Sequence, residues 1–136
     1  VPMNLQRPGR PMAYTNTGVW ADKAIKEAQT LGPVNVIASS KSSNHDHIPA
    51  LPDISTWSDA SYLHITSNNT IYGTEWQDFP ETGQIPLVVD ISSDIGSRPM
   101  PMERVALGYA GAQKNLGPSG LVLVFVRRDI LEQEVS

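Results

Sequence analysis

The sequence predicts an α/β protein built on a mostly parallel sheet with flanking helices. Three observations support this prediction. One amphipathic helical pattern is followed by several short apolar runs that are rich in β-branched residues. The run at residues 85–90 is apolar without alternation, which is typical of parallel strands covered on both faces. The length of 136 residues suits one hydrophobic core, so these elements are expected to form one layered unit.

The first part of the chain predicts a loop, a helix and a strand in that order. The first 18 residues are rich in proline and glycine and predict loop, with at best a short edge strand over residues 12–15. Across residues 19–31, apolar side chains recur at three- and four-residue steps. This spacing predicts a helix, which a glycine–proline pair terminates. Residues 34–38 form a β-branched run and predict a strand.

The remainder of the chain predicts strands separated by polar loops. Residues 39–52 are polar and predict a surface loop, whereas residues 61–66 alternate as a strand does. Further strands are predicted at residues 85–90, 105–110 and 121–127, and a helix is expected to begin at Asp129.

Composition and charge exclude several classes of protein. Ten Lys and Arg residues against fourteen Asp and Glu residues give a formal charge of −4, which argues against a nucleic-acid-binding protein. The longest apolar run, residues 121–126, is far shorter than the ~20 residues of a membrane helix. Without cysteine or a secretory signal pattern, we expect a cytoplasmic protein that has no disulfides.

The glycine-rich segment at residues 108–120 contains the strongest candidate for covalent chemistry, Lys114. No acidic residue lies within six positions of this lysine on either side. Crowded, apolar surroundings disfavour the ammonium form, and a neutral amine can attack a carbonyl. The alternative, which the spacing alone favours, is an exposed hairpin turn with a solvated lysine.

Asp90 and Trp20 are the other candidates for ligand contacts. Asp90 follows the predicted buried strand at its carboxyl end, where open α/β sheets bind ligands. There it can pair with a protonated ring nitrogen or a metal, or it can simply form a turn ahead of Ser92 and Ser93. Trp20 follows Gly18 at the start of the predicted helix, where its indole can stack on a flat ring or pack in the core.

Two further motifs predict no binding site. The pair His45 and His47, with Asp46 between them, contains good zinc ligands, but alternate loop residues point apart, so we expect no metal site. Asn68, Asn69 and Thr70 match a glycosylation sequon, but the absence of a secretory signal favours an ordinary turn.

Four segments, taken in order, closely resemble the phosphoserine aminotransferase family. These are pyridoxal-phosphate (PLP) enzymes of serine biosynthesis with the aspartate-aminotransferase fold. The segments are WADKAIKEA (residues 20–28), HITSNNTIYG (64–73), VVDISSDIGSRP (88–99) and YAGAQKNLGP (109–118). The last two are highly specific, and the resemblance covers nearly the whole chain.

The resemblance implies a role for each of five residues. Lys114 forms the Schiff base with the cofactor aldehyde and then moves the α-proton as the catalytic base. Asp90 keeps the pyridine nitrogen protonated, and Trp20 stacks on the ring. Thr70 hydrogen-bonds the phenolic oxygen, and Gln113 reaches the cofactor phosphate. No metal is implied. Arg98 lies in one of the family motifs, but an ion pair that supports the fold is its expected role.

The implied reaction transfers an amino group from glutamate to 3-phosphohydroxypyruvate and gives phosphoserine and 2-oxoglutarate. A related four-carbon substrate on the pathway to pyridoxine is equally compatible with these residues. The resemblance also implies a homodimer. Two alternatives stay open: another class-V PLP enzyme, such as an alanine–glyoxylate aminotransferase or a cysteine desulfurase, and a non-catalytic module that retains the fold.

Subunits of the family are well over twice as long as this chain. Residues 1–136 are therefore expected to be a partial aminotransferase large domain, incomplete at both ends and without the second domain. As an isolated piece, the chain is expected to expose apolar surface and to be a poor catalyst.

Overall fold

A six-stranded sheet forms the centre of the computed structural model, which describes residues 1–132. The strands of this described part are β1 (Met12–Asn16), β2 (Val34–Ser39), β3 (Leu63–Thr66), β4 (Asn68–Asn69), β5 (Thr74–Glu75), β6 (Leu87–Asp90), β7 (Leu107–Gly111) and β8 (Val122–Val126). The helices are α1 (Pro2–Leu5), α2 (Val19–Gln29) and α3 (Arg128–Leu131).

The large sheet has the strand order β2-β1-β3-β6-β7-β8, and β4 pairs with β5 in a separate two-stranded ribbon. Every neighbouring pair in the large sheet is parallel except β7 and β8, which are antiparallel. The predicted α/β fold with a mostly parallel sheet is therefore confirmed. Five parallel strands, β1, β2, β3, β6 and β7, end at one edge, and this common edge positions the candidate site.

Strand β1 corrects one expectation, because it lies inside the sheet and not at its edge. Met12 pairs with Val34 of β2 on one side, and Ala13 pairs with Leu63 of β3 on the other. All five residues of β1 are buried. Pro11 precedes the first residue of the strand, a position where a missing backbone donor is tolerated. The proline-rich surroundings therefore concealed a central strand.

Helix α2 confirms the predicted helix and ends two residues before the predicted limit at position 31. It packs Ala21, Ile25 and Ala28 onto one face of the sheet. Gly18 caps its start, and a Cβ atom on Gly18 would lie 2.7 Å from Oδ1 of Asn69. The missing side chain thus allows the helix start to approach the turn that follows β3.

The two faces of the sheet carry separate hydrophobic clusters. The face opposite α2 packs under irregular segments that bury Trp57, Trp76 and Phe79. The face under α2 buries Met12 and Tyr14 of β1, among others. Two of the three tryptophans therefore belong to the core, and only Trp20 is free to contact a ligand.

Strand β8 is far less covered than the strands beside it. Val122 is 60% exposed, Val124 56% and Phe125 46%, although the strand is entirely apolar. The register places Val122 and Val124 opposite Gly111 and Tyr109 of β7, on the α2 face, and Phe125 on the other face. The expected exposed apolar surface is therefore present at this end of the described sheet. No helix among residues 1–132 is long and apolar enough to cross a bilayer.

Candidate active site

A cavity of about 210 Å³ lies where β3 and β6 end, beside the start of α2 and the turn after β7. Thr66 and Asp90 are partners in the register of β3 and β6, so their side chains reach this edge together. Four of the five predicted site residues line the cavity, and Thr70 lies beside it. The lining residues are Trp20, Thr66, Asn68, Asp90, Ser92, Ser93, Gln113 and Lys114.

The two oxygens of Asp90 have different surroundings. Oδ1 accepts hydrogen bonds from the Ser92 backbone N–H at 3.0 Å and from Ser92 Oγ at 2.6 Å. Oδ2 has no hydrogen-bond partner within residues 1–132. Asp90 therefore forms the turn that one interpretation of the sequence predicted, and it also keeps one oxygen for a ligand, as the other interpretation required.

Lys114 lies in the turn between β7 and β8 and is exposed. Its Nζ donates a hydrogen bond to Thr70 Oγ1 at 3.4 Å. The crowded, apolar surroundings expected for this lysine are therefore not found in the described chain, and the hairpin turn is the geometry observed. The lysine nevertheless borders the same cavity as Asp90.

Thr70 is an exposed residue of the turn that joins β4 to β5. It does not line the cavity, but its hydroxyl is the hydrogen-bond partner of the lysine amine. The turn predicted for the sequon-like Asn68, Asn69 and Thr70 is present, and it brings Thr70 to Lys114.

Trp20 is 48% exposed and lines the cavity, which excludes the alternative of a core tryptophan. Lys23 Nζ lies 4.5 Å from the centroid of its ring, one turn further along α2. Gln113 is exposed and lies over the turn backbone, because a Cβ atom on Gly111 would be 2.6 Å from its Oε1. Both residues line the cavity.

Sequence reasoning missed four polar residues of the cavity, namely Thr66, Asn68, Ser92 and Ser93. Thr66 Oγ1 is buried and has no hydrogen-bond partner among the residues that the structure describes. Asn68 and Ser93 bond each other, with Asn68 Nδ2 donating to Ser93 Oγ at 3.0 Å. The available signal was the serine pair at residues 92–93, two positions after Asp90, where only a turn was predicted.

A buried polar pair lies on the same face of the sheet as Asp90. His64 Nε2 and the Tyr109 hydroxyl share a hydrogen bond of 2.8 Å, and Tyr109 is the register partner of Asp90. Burial lowers the pKa of His64 to about 4, although the charge of Asp90 acts in the opposite direction. Burial, with the charge of Asp90, also raises the pKa of the Tyr109 hydroxyl. Both side chains are therefore neutral near pH 7.

The histidine motif of the polar loop does not converge on one point. His45 is buried against Ser40 and Tyr72, whereas His47 is exposed and contacts Asp46 at 2.7 Å. Within the described part of the chain, no three His, Cys, Asp or Glu side chains are grouped so that they would hold a metal ion.

Arg98 supports the fold, as expected, rather than facing the cavity. Its Nε lies 2.9 Å from Glu75 Oε1, and its two terminal nitrogens donate to the carbonyl oxygens of Trp76 and Gln77. These contacts tie the segment after β6 to the β4–β5 ribbon.

Comparison with known proteins identifies the family of this chain. The class-V aminotransferase family matches residues 1–135. The chain belongs to this family. It is 54% identical over 133 residues to the phosphoserine aminotransferase of Geobacillus kaustophilus (strain HTA426), covering 98% of this chain and 37% of that protein. The chain thus spans a little over a third of the length of the curated relatives that it matches.

Solved structures of class-V aminotransferases have the same fold. A phosphoserine aminotransferase from Bacillus circulans subsp. alkalophilus matches with a TM-score of 0.87 and 47% identity, covering 97% of this chain and 37% of that one. A PLP-bound phosphoserine aminotransferase from Trichomonas vaginalis matches with a TM-score of 0.83 and 36% identity, covering 99% and 40%. The expected resemblance to phosphoserine aminotransferases is confirmed over nearly the whole chain.

The cavity residues fit the cofactor that a class-V aminotransferase implies. The volume of the cavity is below the ~300–1,000 Å³ of drug-sized sites and suits one substituted ring. Asp90 Oδ2 and the unpartnered Thr66 Oγ1 provide polar atoms at one end. A lysine amine, a half-exposed indole and an amide side chain border the same space. This combination of an amine, a carboxylate and a flat aromatic surface matches the chemistry of PLP.

Proposed function

We propose that this chain is part of the PLP-binding large domain of a phosphoserine aminotransferase. The reaction transfers an amino group from glutamate to 3-phosphohydroxypyruvate and yields phosphoserine and 2-oxoglutarate. The observation that carries the proposal is that Asp90 and Lys114 line one cavity in a chain that is half identical to enzymes of this name. Conversion of the related four-carbon substrate on the route to pyridoxine is compatible with the same residues.

PLP, when bound, supplies an electron-accepting ring that stabilises negative charge on the α-carbon of an amino acid. Asp90 Oδ2 would accept a hydrogen bond from the protonated ring nitrogen, and its charge would favour that protonated form. Lys114 Nζ would hold the cofactor covalently, and the same amine would serve as the general base for the α-proton. Among residues 1–132, Asp90 provides the only carboxylate and Lys114 the only amine that line the cavity.

The other three residues orient the ring. Trp20 would pack its exposed indole against one face of the ring and exclude water. The hydroxyl of Thr70, which accepts the hydrogen bond of Lys114 Nζ, would donate to the phenolic oxygen. The side-chain amide of Gln113 would donate to the phosphate group. Holding a reactant in one orientation supplies about 7–11 kcal/mol of a reaction barrier, so these contacts matter for the rate.

Partners and location form part of the same proposal. From the resemblance to phosphoserine aminotransferases, we expect a homodimer that acts on small substrates in the cytoplasm. An acidic, cysteine-free chain agrees with such a setting.

The first experiment measures the absorbance of PLP bound to the full-length protein that contains this chain. We expect a visible band that disappears in Lys114→Ala, and borohydride reduction that fixes the cofactor to Lys114. Lys41→Ala is the matched control, because Lys41 is an exposed lysine of the polar loop. A band that persists in Lys114→Ala would contradict the proposal.

A second measurement tests the substrates. The full-length protein is expected to form phosphoserine from glutamate and 3-phosphohydroxypyruvate. Lysine-dependent PLP binding without this activity would overturn the substrate assignment and favour another class-V enzyme. The exposed position of Lys114 is the observation that favours a non-catalytic module, and failure to bind PLP at all would support that alternative.

A further inference from the structure

Ser92 connects Asp90 to the turn that bears Lys114. Its hydroxyl donates to Asp90 Oδ1 at 2.6 Å, and the same oxygen accepts the backbone N–H of Gly111 at 3.1 Å. Gly111 ends β7 and begins the turn that bears Lys114. One hydroxyl group therefore joins the carboxylate to the backbone that leads to the lysine.

The bonds of Ser92 also distinguish the two oxygens of Asp90. Two donors, the backbone N–H and the hydroxyl of Ser92, converge on Oδ1. Oδ2 is left without a partner among the described residues, and Asp90 lines the cavity. A hydrogen bond to a charged group contributes more than one between neutral groups, so this pair of bonds restrains the rotation of the carboxylate.

We propose that Ser92 is a positioning residue that holds the Asp90 carboxylate and the Lys114 turn in a fixed relation around the cofactor ring. This inference rests on the proposed PLP-dependent function. Ser92 acts through Asp90 and through the backbone of Gly111. Loss of its hydroxyl leaves the backbone N–H bond to Oδ1 but frees the carboxylate to rotate and the turn to shift.

The test compares PLP affinity in full-length variants by absorbance titration. Ser92→Ala is expected to bind PLP about tenfold more weakly, the effect of losing one hydrogen bond to a charged group. Ser92→Thr, which keeps the hydroxyl, is expected to restore affinity to within about twofold of the unchanged protein, a difference smaller than one hydrogen bond would make. The matched control is Ser67→Ala, which removes a hydroxyl bonded to Asp94 Oδ1 and to the main-chain carbonyl of Asp90.

The Ser67→Ala control distinguishes two effects. One is a weaker attachment of the end of β6, and the other is a loss of orientation of the Asp90 carboxylate. We expect the control to lower the melting temperature without weakening PLP binding, because it leaves the Asp90 carboxylate in place. If Ser92→Ala and Ser67→Ala change PLP affinity equally, Ser92 has only a structural role and the inference is overturned.

A double-mutant cycle shows whether Ser92 acts through Asp90. In the Asp90→Ala background, Ser92→Ala is expected to weaken PLP binding less than it does alone. Full additivity of the two effects would contradict the proposal. If the unchanged protein shows no lysine-dependent absorption with PLP, the proposed function fails. If that band is present but Ser92→Ala binds PLP normally, only this inference fails.

Discussion

Single residues determine the electrostatics around Asp90. The face of the sheet that carries Asp90 also carries the buried ring of His64, which is stacked on Tyr14 and hydrogen-bonded to Tyr109. A protonated imidazole there would compete with a ligand for the charge of Asp90. Burial prevents this near neutral pH, because it favours the uncharged ring.

The buried histidine predicts an acid-sensitive fold. The pKa of His64 falls from 6.5 to about 4 on folding. Between these values the unfolded chain binds a proton that the folded chain excludes, so stability decreases as the pH falls through this window. A glutamine at this position, as in His64→Gln, cannot bind a proton in this pH range. We expect the loss of unfolding free energy between pH 7 and pH 5 to be about 1–2 kcal/mol smaller in this variant.

Urea unfolding of the full-length protein at the two pH values measures this difference. His47→Gln is the control, since it removes an exposed histidine of the polar loop. An equal pH dependence in His64→Gln and the unchanged protein would show that the ring does not stay neutral on folding.

At the scale of the element, the start of α2 depends on one close approach. Asn69 accepts a hydrogen bond from Thr17 Oγ1 at 3.0 Å and donates to Thr74 Oγ1 at 3.2 Å, so its side chain is held in place. A Cβ atom at Gly18 would lie 2.7 Å from its Oδ1. Helix α2 and the β4–β5 ribbon therefore pack so closely that a side chain at position 18 does not fit without a shift.

Gly18→Ala is expected to lower the unfolding free energy by about 1–3 kcal/mol, the usual cost of overpacking. It should also move Trp20, two residues further on, and weaken PLP binding. Gly117→Ala is the control, because a Cβ atom there would meet Ala112 Cβ at an ordinary 3.9 Å. Thermal unfolding and PLP titration measure both effects. Equal stability of the two variants would contradict the clash.

The elements differ in how far the sequence predicted them. Helix α2 and strand β6 carry strong periodic or continuous apolar patterns, and both were predicted within two residues. Strand β1 was misplaced at an edge, because Pro11 and the polar Thr15 and Asn16 hide a strand that is buried along its length. The two-residue strands β4 and β5 have too few residues to show any period.

The site was predicted only in part, for a related reason. Motif resemblance identified Trp20, Asp90, Gln113 and Lys114, and all four line one cavity. Lys114 lies in an exposed turn, as its spacing alone favoured, and the crowded, apolar surroundings of the other interpretation are not found among the described residues. Ser92 was treated only as part of a turn, since its importance arises from a contact with Gly111 on another strand.

At the scale of the whole molecule, β8 leaves the described sheet with an apolar end. Its side chains are exposed on both faces, and exposed apolar patches of this kind promote association. The isolated 136-residue chain is therefore expected to self-associate, which light scattering across a concentration series would detect.

Val124→Lys should reduce this association, because a lysine on an edge strand opposes pairing between copies. Val36→Lys makes the same charge change on β2, at the opposite edge, where Val36 is 40% exposed. We expect the β8 variant to be more monomeric than the β2 variant at equal concentration. A monomeric unchanged chain, or equal behaviour of the two variants, would contradict this.

The antiparallel pairing of β7 with β8 has a consequence for the order of folding. Neighbouring segments of a chain meet quickly, and a hairpin forms in about 1–10 μs. By contrast, pairing of Ala13 with Leu63 must first close a long loop, which slows its formation. We expect the turn that bears Lys114 to form before α2 and Trp20 pack onto the sheet.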